Sequence, residues 1–136
     1  MSKPESGMRC KVVKILNGYR LHGMAVENMV GPGTPDVAYI GGWIECKKTK
    51  KWPVRSTTPV RLDHGLLDTQ RLWIRKHAKH GGRVFVLIQV ALEFLLLDGM
   101  VAVSFLGTST QAELKEHSLL VCRGWKELEA RLKEYL

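Results

Sequence analysis

The sequence predicts an α/β domain built around a mixed sheet, and three observations carry that class. Apolar, β-prone runs (DVAYI, WIECK, RVFVLIQV, EFLLL) fill the middle of the chain. Stretches with helical spacing lie before, between and after them. Turn residues fall at most of the joins. The length of 136 residues fits one domain over residues 1–136, and a composition 45% hydrophobic and 25% charged is that of an ordinary soluble globule.

Residues 8–16, MRCKVVKIL, space Met8, Val12, Ile15 and Leu16 as one face of a helix, and Asn17-Gly18 stops it. Residues 21–29 read as a strand and GPGTP as a turn. DVAYI and WIECK flank Gly41-Gly42, a two-residue hairpin signal. Residues 49–66, with Pro53 and Pro59, read as a loop. DTQRLWIRKHAKHGG reads as a helix capped by Asp68 and stopped at Gly81. RVFVLIQV does not alternate, as expected of a central strand covered on both faces. EFLLL is a further strand. VAVSFLG fits strand or helix, and QAELKEH fits a helix. GWKELEARLKEYL places Trp125, Leu128, Leu132 and Tyr135 on one helical stripe. That stripe suits core packing first and a homodimer contact second.

Composition excludes several classes. The most apolar stretch, VFVLIQVALEFLLLDGMVAV, is broken by Gln89, Glu93 and Asp98. A membrane helix needs roughly 18 or more apolar residues in a row, so buried strands and no membrane partner are expected. Cys10, Cys46 and Cys122 are odd in number and lack CxxC spacing, which argues against a disulfide framework or a zinc ribbon and for a reducing cytoplasm. His77-x-x-His80 lacks companion ligands at zinc spacing. Neither a GK[ST] phosphate loop nor a GxSxG elbow occurs.

The net charge of +8 is concentrated in one segment. Residues 47–83 hold 11 of the 21 Lys and Arg but only 2 of the 13 acids, Asp63 and Asp68. The remainder is close to neutral. Positive charge gathered this way points to a polyanion, most often nucleic acid. Lys48, Lys50, Lys51, Arg55, Arg61, Arg71 and Arg75 are the candidate phosphate contacts, and Trp52 a candidate stacking residue.

Directly before this segment, GTPDVAYIGGWIECKK interrupts an apolar hairpin with charges. With Gly41-Gly42 as the turn, Asp36 lies opposite Lys47 and Ala38 opposite Glu45. Asp36, Glu45 and Lys47 then share a face, with Glu45 diagonal to Asp36, while Val37, Tyr39, Ile44 and Cys46 point the other way. Two nearby carboxylates repel, and a divalent cation with its preference for oxygen ligands relieves that. A lysine beside such an ion suits phosphodiester hydrolysis.

Pro35-Asp36 followed by Glu45-Cys46-Lys47 resembles the PD-(D/E)xK nuclease superfamily, most closely the small phage-type VRR-NUC group and the archaeal and phage Holliday-junction resolvases. The resemblance covers residues 5–97 by order of elements and 33–48 closely, with residues 109–136 as a C-terminal helical extension. It implies a restriction-endonuclease-like core and Mg²⁺- or Mn²⁺-dependent cleavage of DNA, including branched or junction DNA. By the same resemblance Asp36, Glu45 and the Cys46 carbonyl would hold the metal and Lys47 would be catalytic. Glu5 would supply a further acid from the first helix, and Gln70 would reach the site from the helix after the motif. Cys46 replaces the commoner aliphatic residue, and no Val-Arg-Arg run is present. The alternative from another class is a non-catalytic DNA- or RNA-binding module that keeps the fold.

Overall fold

The computed structural model describes residues 4–26 and 32–136. A six-stranded sheet runs in chain order: β1 (Met24–Ala25), β2 (Val37–Tyr39), β3 (Gly42–Thr49), β4 (Val84–Val90), β5 (Glu93–Asp98) and β6 (Leu120–Arg123). Neighbours are antiparallel except β3 and β4, which run parallel. A parallel pair needs a crossover, here residues 50–83 with helix α2 (Asp68–Lys79). The chain is therefore α/β with a mixed sheet flanked by helices, as the pattern of elements predicts.

Each face of the sheet carries its own core. Helix α1 (Pro4–Gly18) supplies Met8, Val12, Ile15 and Leu16 to one face, against Val37, Tyr39, Ile44, Cys46, Phe85 and Leu87. Helix α5 (Trp125–Arg131) and the 3₁₀ turn Leu132–Tyr135 close the same face with Leu128 and Leu132. The Trp125 stripe is thus spent on the chain's own core, with the Trp125 ring 4.6 Å from that of Phe94. The other face packs Val84, Val86, Ile88, Leu95 and Leu97 against α2, helix α3 (Gly99–Phe105) and helix α4 (Gln111–His117). Every residue of β4 is buried, Gln89 included, which accounts for its lack of alternation.

Several boundaries differ from the sequence expectation. Helix α1 starts at Pro4, so it takes in the backbone of Glu5, whose side chain lies outside the described residues. The strand expected over 21–29 is two residues long, and 27–29 lie outside the described residues. VAVSFLG is helical in α3, begun by Asp98 accepting from Met100 N. β6 was not expected. It pairs with β5 through Leu120 and Cys122, too short and mixed a stretch to stand out in sequence. The join before β5 lacks glycine because Ala91 itself takes φ +53°. Leu67, not Asp68, is the N-cap of α2, and the Gln70 side chain accepts from Leu67 N.

The loop from residue 50 to 67 crosses the edge of the second core. It is anchored by buried Val60, whose N–H donates to Ser109 O, and by Leu66. Among the described residues no helix is long and apolar enough to cross a membrane. Among the described residues no disulfide joins the three cysteines.

Candidate active site

The hairpin turns one residue earlier than Gly41-Gly42 suggests. Tyr39 pairs with Gly42, Ala38 with Trp43 and Val37 with Ile44, so Ile40 and Gly41 form the turn. Carrying the register one step further sets Asp36 opposite Glu45 rather than Lys47. The offset is two in the pairing sum, which leaves parity intact. Asp36, Glu45 and Lys47 still share a face, and Val37, Tyr39, Ile44 and Cys46 still enter the opposite core. The correction strengthens the contact between the two acids, since directly opposed side chains approach more closely than diagonal ones.

Asp36 lies in a bend immediately before β2. Its Oδ2 accepts from Cys46 N at 2.9 Å, so the carboxylate takes over the pairing of the strand backbone. Glu45 and Lys47 are 3% and 4% exposed, an unusual depth for charged side chains. Lys47 Nζ lies 3.3 Å from Glu45 Oε2 and donates to Gln70 Oε1 at 3.2 Å and Gly65 O at 3.3 Å. Gln70 Nε2 donates to Glu45 Oε2 at 3.0 Å. The Gln70 amide thus donates to the acid and accepts from the base, fixing both from α2. Gly33 permits this approach. Its φ is +83°, and a Cβ there would overlap the Thr69 carbonyl at the start of α2.

Burial pushes the Glu45 carboxyl up to about 8, and the neighbouring Asp36 charge adds to the rise against the pull of Lys47. Asp36 is also raised, chiefly by burial, with the Cys46 N–H, Lys47 and Arg9 opposing. Without a cation, Glu45 therefore holds its proton at neutral pH. Its contact with Lys47 is then an ammonium–carboxyl hydrogen bond rather than a full ion pair. Glu45 Oε1 is buried with no hydrogen-bond partner among the described residues. An unpartnered carboxylate oxygen beside a second acid is a donor set that suits a hard divalent cation, so the residues fit the metal that the motif implies. Two side-chain carboxylates contribute, and the described residues contain no cluster of three or more His, Cys, Asp or Glu.

Arg9 was missed by the sequence reading. From α1 its charge reaches Asp36, and its Nε is buried without an acceptor among the described residues. The one sequence signal was a cation beside Met8, at the edge of a buried helical stripe.

The basic segment divides in two. Lys50, Lys51, Arg55, Arg61 and Arg75 are exposed and Lys48 is half-buried, all available to a polyanion. Arg71 is not, because its guanidinium donates to Val103 O and to Leu106 O at 3.3 Å, tying α2 to α3. Trp52 is also engaged. Its Nε1 donates to Glu93 Oε1 at 2.9 Å, Lys115 Nζ sits over its ring 5.4 Å from the centroid, and its ring packs on the second core. His77 stacks on Trp73 and His80 Nδ1 meets Lys76 O, so the two histidines do not converge.

No protein-family model matches this sequence, and no curated protein matches it.

Proposed function

We infer that the chain is a metal-dependent endonuclease hydrolysing DNA phosphodiesters, on a restriction-endonuclease-like core of the PD-(D/E)xK kind. The observation that carries this reading is buried Glu45, with an unpartnered oxygen, beside half-buried Asp36 and bridged to buried Lys47 by Gln70. A structural hairpin has no need to bury an acid and a lysine beside a second acid, and such burial is costly unless a ligand compensates it.

Asp36 and Glu45 would hold Mg²⁺ or Mn²⁺, with the Cys46 carbonyl as the third ligand that the motif implies. Bound there, the ion would supply Lewis-acid polarisation of the scissile phosphate. Lys47, held by Gln70 and Gly65, presents its ammonium to the attacking water and to charge developing on the phosphate. Arg9 sets its positive charge near Asp36 and favours the ionised, metal-binding form of that carboxyl. Lys50, Lys51, Arg55, Arg61 and Arg75 bind flanking phosphates without reading sequence. A reducing cytoplasm suits three cysteines that form no disulfide among the described residues.

The deciding experiment incubates the protein with supercoiled plasmid and Mg²⁺ or Mn²⁺, with and without EDTA, alongside Asp36→Asn. The expected result is metal-dependent nicking by the unaltered chain, none by the variant, and retained DNA binding by both. Salt-sensitive binding with no nicking under either metal would replace the enzyme with a non-catalytic binding module.

A further inference from the structure

Three aromatic rings stand beside the acid pair, and the hydrolysis proposed above uses none of them. Trp43 projects from β3 on the face of Glu45 and Lys47. Trp73 and His77 follow Gln70 at helical spacing on α2. The Trp73 and His77 rings stack with centroids 4.6 Å apart, and Trp43 meets Trp73 edge-on at 5.1 Å. All three residues are half-buried.

Core packing accounts for one side of this cluster. The other side opens on a cleft of about 420 Å³ between the β2–β3 turn and the α2–β4 turn. Trp43 and His77 line it from the α2 side of the sheet, and Tyr39 and Arg83 from the α1 side. Glycines at 41, 42, 81 and 82 complete the lining. A Cβ on Gly42 would crowd the Arg83 backbone and the Tyr39 hydroxyl, and one on Gly82 would run into the His77 ring. Tyr39 is 7% exposed, and its buried hydroxyl has no hydrogen-bond partner among the described residues. A ligand that suits the cleft is flat, has a polar edge to reach the tyrosine, and carries negative charge toward exposed Arg83 in its lining. A nucleotide has all three properties. The volume suits one base with its sugar rather than a base pair, whose ring faces are already covered within a duplex.

We propose that this cleft takes one unpaired nucleobase against Trp43, with His77 held behind it by Trp73, so that the substrate carries a single-stranded or extruded nucleotide beside the bond that is cut. The claim about the cut bond rests on the endonuclease reading, whereas the base-binding cleft stands without it. The experiment titrates tryptophan fluorescence of the intact chain in EDTA with a short thymidine oligonucleotide and with a blunt duplex of equal phosphate count. Quenching is expected from the single strand and much less from the duplex. An oligonucleotide series with one abasic nucleotide stepped along the strand should lose about tenfold in affinity at one position only. Trp43→Leu should lose a similar factor, and Trp52→Leu none. If Trp43→Leu does not fold, the abasic series on the unaltered chain decides. Equal quenching by duplex and single strand, with no position-dependent loss, overturns the cleft assignment even where plasmid is nicked. Position-dependent loss without nicking under any metal keeps the cleft and removes the nuclease.

Discussion

Replacing Glu45 by glutamine should make the metal-free protein more stable, increasingly so as the pH rises. In the folded chain the carboxyl titrates at about 8, against 4.5 for the ordinary group. A carboxyl whose folded value is raised binds its proton more tightly when folded. Its contribution is therefore complete below pH 4.5 and is lost as pH climbs through 8. Glutamine has the same shape and never ionises, so the difference between the two proteins isolates this one titration. At about 1.4 kcal/mol per unit, the variant should gain about 1 kcal/mol at pH 5 and about 4 kcal/mol at pH 8. Urea unfolding in EDTA, followed by circular dichroism at several pH values, reads this directly. A gap that stays flat from pH 5 to 8, or one favouring the glutamate, would refute the idea that burial holds the proton on Glu45. The same substitution should abolish cleavage, so stability and activity move in opposite directions, as expected where a site is held under electrostatic strain.

Gln70→Ala removes hydrogen bonds to Glu45, Lys47 and Leu67 N. We expect a stability loss of about 1–3 kcal/mol by urea unfolding and a roughly 10- to 100-fold slower cleavage, the range for residues that orient metal-binding side chains. Gly33→Ala forces a side chain into the Thr69 carbonyl at φ +83°. It should cost more than about 2 kcal/mol and reduce cleavage together with stability, measured by melting and by plasmid nicking. Arg61→Ala should lower the slope of log affinity against log salt by about 1, while Arg71→Ala should leave that slope unchanged and lower the melting temperature instead. Equal slopes for the two variants would contradict the division of the basic segment.

The parts of this chain that could be read in advance are those set by local chemistry. Alternation fixed the faces of the hairpin, so Asp36, Glu45 and Lys47 share a side even though the turn fell one residue early. A two-residue offset preserves parity, and an odd one would have scattered the three. The buried run of β4 and the helical spacing of α2 were equally legible. Contacts between distant elements were not. Arg71 reads as one more cation in a basic segment until α3 brings the carbonyls of Val103 and Leu106 to it. Trp52 meets Glu93 across 41 positions of sequence. Arg9 approaches Asp36 only because α1 packs beneath β2 and β3. None of these pairs leaves a mark within a local window.

The segment from Lys50 to Leu62 hangs from the scaffold at few points: Trp52 on Glu93, buried Val60 on Ser109 and, just beyond it, Asp63 on Thr49. Apart from half-buried Pro53 and Leu62, the latter packed on the second core, its remaining side chains face solvent and make no structural demand on the sheet. Such a strap can be lengthened, shortened or recharged while the acids and the lysine keep their places. Under the proposed function, grip on the polyanion and bond-breaking chemistry would be separable properties of this small domain, free to change at different rates.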